Sequence, residues 1–288
     1  MKNKLSNKIV SLSIIIILFS AIASSVGIFT NAGSGTYEYK TIRGEVIQIY
    51  GKGIYKDMSA DVAIQGIAQD YVTLFLAIPL LIFALIRFKK GSLKSKLFLA
   101  GVLNYFLLTY LFYLNMAMYN ELFIVYIILL SSSFFAFILN IISIDIKSIS
   151  LFFSDRTPVK FIGAFLMFLS SMIAILWLSV IVPPLFDGTI IPKSVEHYTT
   201  LIVQGFDLSI FLPIAFISGL LLLKKQNYGY LMSSITLVFL SLLMTALVAK
   251  IIAMSLVGVN VVPAIFIIPV FLIFSVLCGA ILYKNINK

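Results

Sequence analysis

Apolar runs of 18 or more residues recur from one end of this 288-residue chain to the other. Wound as a helix, a run of that length crosses the hydrocarbon core of a bilayer, about 30 Å. Lipid offers no water to backbone N–H and C=O groups, so only helices and closed barrels span it. Here the runs are continuous and do not alternate apolar with polar residues, which argues against a barrel. Charged residues make up only 11% of the chain and hydrophobic ones 61%. That is too little charge to clothe a soluble surface of this size. The expected fold is therefore an all-α integral membrane protein, a bundle of about eight transmembrane helices in contact with the lipid bilayer.

The spans read as residues 9–29, 69–88, 97–114, 122–142, 161–182, 207–223, 230–256 and 263–283. Each is close to the length a membrane helix needs. A cleaved signal peptide is the competing reading of the first, with its basic start and its Ala21-Ile22-Ala23 triplet. Its apolar run is longer than the usual signal core of about 7–15 residues.

The chain carries 21 Lys and Arg against 11 Asp and Glu, a formal charge of +10. In a soluble protein that excess would suggest nucleic acid. Here the positives sit in short segments between spans, and no nucleic-acid partner is expected. Fifteen of them fall on the side of the N-terminus and five on the other, with Lys250 inside a span. Positive charge resists translocation, so the expectation is a cell-membrane protein with both termini cytoplasmic. The loop from Arg87 to Lys96 is the strongest element of that sorting.

The two halves of the chain look alike. Each opens with an outward span and a long outer loop, at about 30–68 and 183–206. Each loop ends on an aspartate, Asp70 or Asp207, that enters an inward span. A proline follows, Pro79 or Pro213, then a lysine pair, Lys89-Lys90 or Lys224-Lys225, and soon a glycine, Gly91 or Gly229. Two further spans complete each half. The expectation is a pair of four-span repeats, 1–148 and 149–288, sharing one orientation. Against it, lysine pairs are common at cytoplasmic ends, and the Asp-to-Pro spacing differs between the halves.

The first outer loop is long enough for structure of its own. Glu45-Val46-Ile47-Gln48-Ile49-Tyr50 is β-prone and Gly51-Lys52-Gly53 reads as a turn, so Ile54-Tyr55 is expected to return as a second strand of a short hairpin. Ser59 is a candidate cap for a helix that begins near Ala60 and runs into the second span. Along that helix Gln65, Gln69 and Thr73 recur at i, i+4, i+8, with Asp70 beside them. Such a polar stripe either solvates the outer end of the span or lines an outward-facing cavity.

The run from Tyr50 to Tyr55, then Gln65, then Gln69-Asp70-Tyr71-Val72-Thr73-Leu74 and Pro79-Leu80-Leu81, resembles a family of uncharacterised bacterial multi-pass membrane proteins. Glu121-Leu122-Phe123-Ile124-Val125-Tyr126 and Asp207-Leu208-Ser209-Ile210-Phe211-Leu212-Pro213 resemble its later motifs. The resemblance covers most of the chain and implies a bacterial cell membrane and no assigned activity. The resemblance implies that related sequences often carry a histidine three residues before the second aspartate; this chain has Gln204 there, which argues against a histidine–aspartate pair.

Ionisable groups at membrane depth are costly and therefore the first candidates for a role. Asp70 and Asp207 either stabilise helix N-termini or belong to a site. Lys250 either snorkels to the outer boundary or pairs with one of those aspartates. The candidate ligand-binding set is Gln65, Gln69, Asp70, Thr73, Asp207 and Lys250. In the seventh span, Ser234, Ser241 and Thr245 share a face and suit helix packing. Asn104 and Asn115 share a face of the third and suit interhelical hydrogen bonds. Trp177 reads as an interface anchor, and His197 as an exposed loop residue.

With one histidine and one cysteine, Cys278, there is no zinc-type ligand set, no intrachain disulfide and no bis-histidine haem site. No cofactor is expected. No P-loop, dinucleotide fingerprint, HExxH or GxSxG occurs. An enzyme is the weakest reading; its acid–base candidates near the outer face are Asp70, Asp207, Glu121 and His197. The leading expectation is a small-solute transporter or permease-like protein for a small polar or ionic solute. The alternative is a non-catalytic sensor, scaffold or accessory subunit that meets a partner protein through the outer loop 30–68.

Overall fold

The computed structural model describes residues 2–287, and Lys288, counted among the positive residues above, lies outside them. Eight helices are long and apolar enough to cross a membrane: α1 (Lys4–Phe29), α2 (Ala60–Phe88), α3 (Leu93–Met116), α4 (Phe123–Ile142), α5 (Val159–Leu185), α6 (Ile202–Leu223), α7 (Asn227–Leu256) and α8 (Ala264–Lys284). The chain is a multi-pass membrane protein. Its outward faces carry Leu18 and Ile22, Phe75 and Ile86, Phe134 and Phe135, Ile175, Phe266 and Ile273, all largely exposed. In water such a surface would aggregate; against lipid tails it is matched.

The helices pack as two rings of four. In the first, α1 lies against α2 and α4, and α3 closes the ring against the same two. In the second, α6 lies against α5 and α7, and α8 touches α7 and α5. The seam between the rings is made by α7 against α2 and α3, and by the start of α6 against α3. Small residues permit the close crossings, as expected where lipid supplies no hydrophobic drive between helices. Gly163 and Gly219 meet backbone to backbone where α5 crosses α6, and Gly101 of α3 packs on Ile235 and Val238 of α7.

Two helices are interrupted. Residues Thr73–Ala77 of α2 and Asp207–Phe211 of α6 form π-helical turns. The N–H of Ile78 reaches back five residues to Thr73, and that of Leu212 to Asp207. Each turn ends two residues before a proline, Pro79 or Pro213, which has no N–H to give to the turn before it. Such widened turns are rare and concentrate at functional sites.

The loop between α1 and α2 holds a two-stranded antiparallel sheet, β1 (Tyr37–Lys40) with β2 (Val46–Ile49). The strand that pairs with β2 precedes it in sequence. Ile54-Tyr55 is not a returning strand, because Gly53–Tyr55 is a single helical turn whose two apolar side chains turn into the core. Helix α2 starts at Ala60, as read from the sequence, but Ser59 makes no capping hydrogen bond. The Ser59 N–H instead donates to the Tyr198 hydroxyl of the second outer loop, 3.2 Å away.

Candidate functional site

Helix α2 begins ten residues before Asp70, so this carboxylate is not a helix cap. It is buried, 3% exposed, in the interior of the first ring. Two phenols hold it. Tyr55 Oη, from the outer loop, donates to Asp70 Oδ2 at 2.5 Å. Tyr113 Oη, from α3, lies 3.0 Å from Asp70 Oδ1 and 2.9 Å from the Gly66 carbonyl. Gly27 of α1 completes the cradle, since a methyl group there would overlap the Asp70 carboxylate. Burial raises the Tyr55 phenol well above its ordinary pKa, and the Asp70 charge adds to the effect, so Tyr55 stays a donor.

The next turn of α2 repeats the pattern. Gln69 Nε2 donates to Tyr105 Oη at 2.6 Å and to Thr109 Oγ1 at 3.4 Å. The Thr73 hydroxyl donates to the Gln69 carbonyl at 2.9 Å and lies 3.0 Å from Tyr105 Oη. Because α2 and α3 run antiparallel, the ascending series Gly66, Gln69-Asp70, Thr73 meets the descending series Tyr113, Thr109, Tyr105. Those three α3 residues recur at i, i+4, i+8, which places them on one face. That spacing is visible in the sequence, and it is the signal that would have found the partners of Asp70. Tyr110 and Tyr126 pack around the same centre, with ring centroids 6.3 Å apart and Tyr126 5.5 Å from Tyr113.

Gln65 does not join this group. Its amide bonds back to the Asp61 carbonyl of its own helix at 3.2 Å. Residues at i, i+4, i+8 drift about 40° per step on a helix of 3.6 residues per turn, so the first of the three has rotated out of the interior.

Asp207 lies in the second ring, half-buried at the start of the π-helical turn of α6. Trp177 Nε1 of α5 donates to its Oδ2 at 2.8 Å. Trp177 is therefore an interhelical hydrogen-bond donor rather than only an interface anchor. Lys250 of α7 is half-buried at the seam and interacts electrostatically with both Asp207 and Asp70. It forms no ion pair within 4.0 Å; among the described residues the one such pair is Lys56 with Glu121, exposed at 3.2 Å. The structure thus gathers Gln69, Asp70 and Thr73 in one buried cluster, sets Asp207 with Trp177 in another, and puts Lys250 within electrostatic reach of both.

These side chains do not line the groove that opens between the N-terminal part of α2 and the C-terminal part of α7. That groove, about 330 Å³, is walled by Ile64, Ile67, Ala68 and Tyr71 on one side and Ala249, Ile252, Ala253 and Leu256 on the other. Apart from the Tyr71 hydroxyl its wall is hydrocarbon, a surface suited to an acyl chain and not to an ion.

At the end of the seam the loop between α1 and α2 and the loop between α5 and α6 are clasped together. Arg43 donates to the carbonyls of Glu196, at 2.7 Å, and Tyr198, at 3.3 Å. His197 Nε2 lies 3.0 Å from the Asp57 carbonyl, and its ring meets Tyr39 edge-on, so this histidine is not a free loop residue. Burial raises the Tyr198 phenol above its ordinary value. Asn115 bonds only within its helix, to the Leu111 carbonyl, and so makes none of the interhelical bonds expected of it. Ser241 and Thr245 likewise bond back within α7. No group of three or more His, Cys, Asp or Glu among the described residues is placed to hold a metal.

No family model, curated protein or solved structure matches this chain.

Proposed function

We propose that this chain is a carrier for a small polar or ionic solute, with its site at the outer ends of α2, α6 and α7. The observation that carries the reading is the pair of interrupted helices. Each ring contains one inward helix broken by a π-helical turn before a proline. Broken helices at corresponding places in two halves of a membrane bundle are the best sequence-readable pointer to a transport site. Asp70, one turn before the first break, and Asp207, at the start of the second, both interact electrostatically with Lys250 of α7.

The same observation supports two parallel repeats, 1–148 and 149–288, and sharpens their register. Thr73 and Asp207 open the two π-helical turns 134 positions apart, and so stand Pro79 and Pro213. Ile235 lies 134 positions after Gly101, against which it packs. A residue that touches its own repeat equivalent lies on the axis relating the halves. In this register Asp207 matches Thr73 and Gln204 matches Asp70, so the two aspartates are not equivalents. The setting proposed is a bacterial cell membrane with both termini cytoplasmic, as the charge sorting implies.

An ammonium beside a carboxylate suits a solute carrying both charges, such as a free amino acid. The test is uptake of a labelled amino-acid mixture into liposomes holding the purified protein. Saturable uptake that is lost in Lys250→Ala and Asp207→Asn is expected. Absence of uptake, together with absence of any amino-acid-dependent thermal stabilisation, would sink the carrier reading.

The second reading, a sensor or accessory subunit, is favoured by the clasp of Arg43 onto Glu196 and Tyr198, which gives the outer surface a defined shape. Its signature would be a stoichiometric partner protein that is lost when residues 37–49 are replaced by a flexible linker.

A further inference from the structure

We propose that the tyrosine cluster around Asp70 is a binding site for one dehydrated alkali cation, sodium or potassium. The inference starts from charge. Asp70 and Asp207 bring two carboxyl groups near the seam, and Lys250 brings one ammonium group. Among the described residues no cationic side chain lies within 4.0 Å of Asp70, so this buried carboxyl has no charge partner in contact with it. A bare carboxylate in such surroundings is strongly disfavoured unless something neutralises it.

The cluster also holds unused oxygen. Tyr55 and Tyr113 donate one hydrogen bond each to Asp70, which leaves lone pairs free on both carboxylate oxygens. The Tyr126 and Ser24 hydroxyls are fully enclosed and make no hydrogen bond of ordinary geometry, although Tyr126 lies near the Tyr55 and Asn120 side chains and Ser24 near Tyr110. Ser24 lies one turn before Gly27, the residue that touches the Asp70 carboxylate, and Tyr126 packs on Tyr113, which bonds it. Buried hydroxyls without partners are rare in folded proteins and call for a reason. Oxygen donors of this kind suit a hard cation. One carboxylate among neutral hydroxyls balances a single positive charge, which selects a monovalent over a divalent ion. The proposal stands on the geometry of Asp70 and its neighbours and does not need the carrier reading to hold.

The test is thermal unfolding of the purified full chain at constant ionic strength, with N-methylglucamine chloride replaced stepwise by sodium or potassium chloride. The wild-type midpoint is expected to rise saturably with one of the alkali ions. Asp70→Asn should abolish the response, and Asp61→Asn, at the exposed start of the same helix, should keep it. Tyr126→Phe removes one oxygen without changing the packing; it should raise the half-saturating concentration by about tenfold, the equivalent of one good oxygen contact. If Asp70→Asn does not fold, Tyr126→Phe alone decides. A wild-type midpoint indifferent to the choice of cation overturns the proposal, as does a response that Asp70→Asn or Tyr126→Phe leaves unchanged. Such indifference would mean that Asp70 is held as a neutral acid.

Discussion

The hydroxyl of Tyr55, in a helical turn of the outer loop, lies 2.5 Å from the carboxylate of Asp70 in α2 and joins an extramembrane segment to the interior of the bundle. Tyr113 supplies the second such bond from α3. Hydrogen bonds to a charged group are each worth about 1.5–3 kcal/mol. Tyr55→Phe and Tyr113→Phe are each expected to destabilise the protein by that amount. The double variant should lose less than the sum, because both phenols serve one carboxylate. Denaturant titration in mild detergent measures this, and full additivity would show that the phenols act independently.

Alkaline pH acts on the same bond. The Tyr55 phenol is held well above its ordinary value of 10.0, first by burial and then by the Asp70 charge. In the unfolded chain this phenol loses its proton above about pH 10, while the folded protein retains it. Above that pH the unfolded state binds fewer protons, so stability falls as pH rises. The expected profile has the full contribution of this group present below pH 10, with loss beginning above it. Tyr55→Phe should flatten that decline, which thermal midpoints between pH 8 and 11 would record.

Gly27 has no room for a side chain. A methyl group there would overlap the Asp70 carboxylate and crowd the Tyr55 hydroxyl at 2.9 Å. Overpacking of a closed site costs about 1–3 kcal/mol. Gly27→Ala is expected to fall in that range, whereas Gly205→Ala, where the added carbon meets nothing within 4 Å, should not show this clash. Equal losses in the two variants would mean that the α1–α2 crossing is looser than described.

The clasp between the outer loops should be separable from the bundle. Arg43→Ala removes two hydrogen bonds to the second loop, at Glu196 and Tyr198. Amide hydrogen exchange is expected to quicken in residues 41–46 and 193–199 while the helical spans keep their protection. Exchange that quickens throughout α2 as well would show that the clasp and the Asp70 cluster open as one unit.

The spans were legible because a bilayer imposes a minimum length on every crossing, and continuous apolar runs state that length directly. Asp70 was legible as a costly charge at membrane depth. Its partners were not, because each bond depends on how elements meet across the bundle. Tyr55 arrives from a loop segment read as a strand, and Tyr113 from a helix whose tyrosines look like ordinary membrane aromatics. The α3 spacing of Tyr105, Thr109 and Tyr113 was in plain view, but a stripe acquires meaning only when the facing stripe of α2 is set beside it. The hairpin partner was misplaced for a related reason. Ile54-Tyr55 has the composition of a strand, but burying both residues satisfies more apolar surface than pairing them at an exposed edge. The π-helical turns left only their prolines in the sequence, and a proline alone does not distinguish a kink from a widened turn.

The order in which the Asp70 cluster is assembled follows from where its members lie in the chain. Ser24, Gly27, Tyr55, Tyr105, Tyr113 and Tyr126 all precede α5. When α2 first enters the membrane during synthesis, its carboxylate has Tyr55 and the α1 residues Ser24 and Gly27 for company, but none of the tyrosines of α3 and α4. Once α3 and α4 have followed, every group around it is in place, and the second ring has not yet entered the membrane. Asp207 has a different history: Trp177 is already there when α6 is made, but Lys250 comes later. The first four helices can therefore settle as a finished unit, against which the rest of the chain is then laid down.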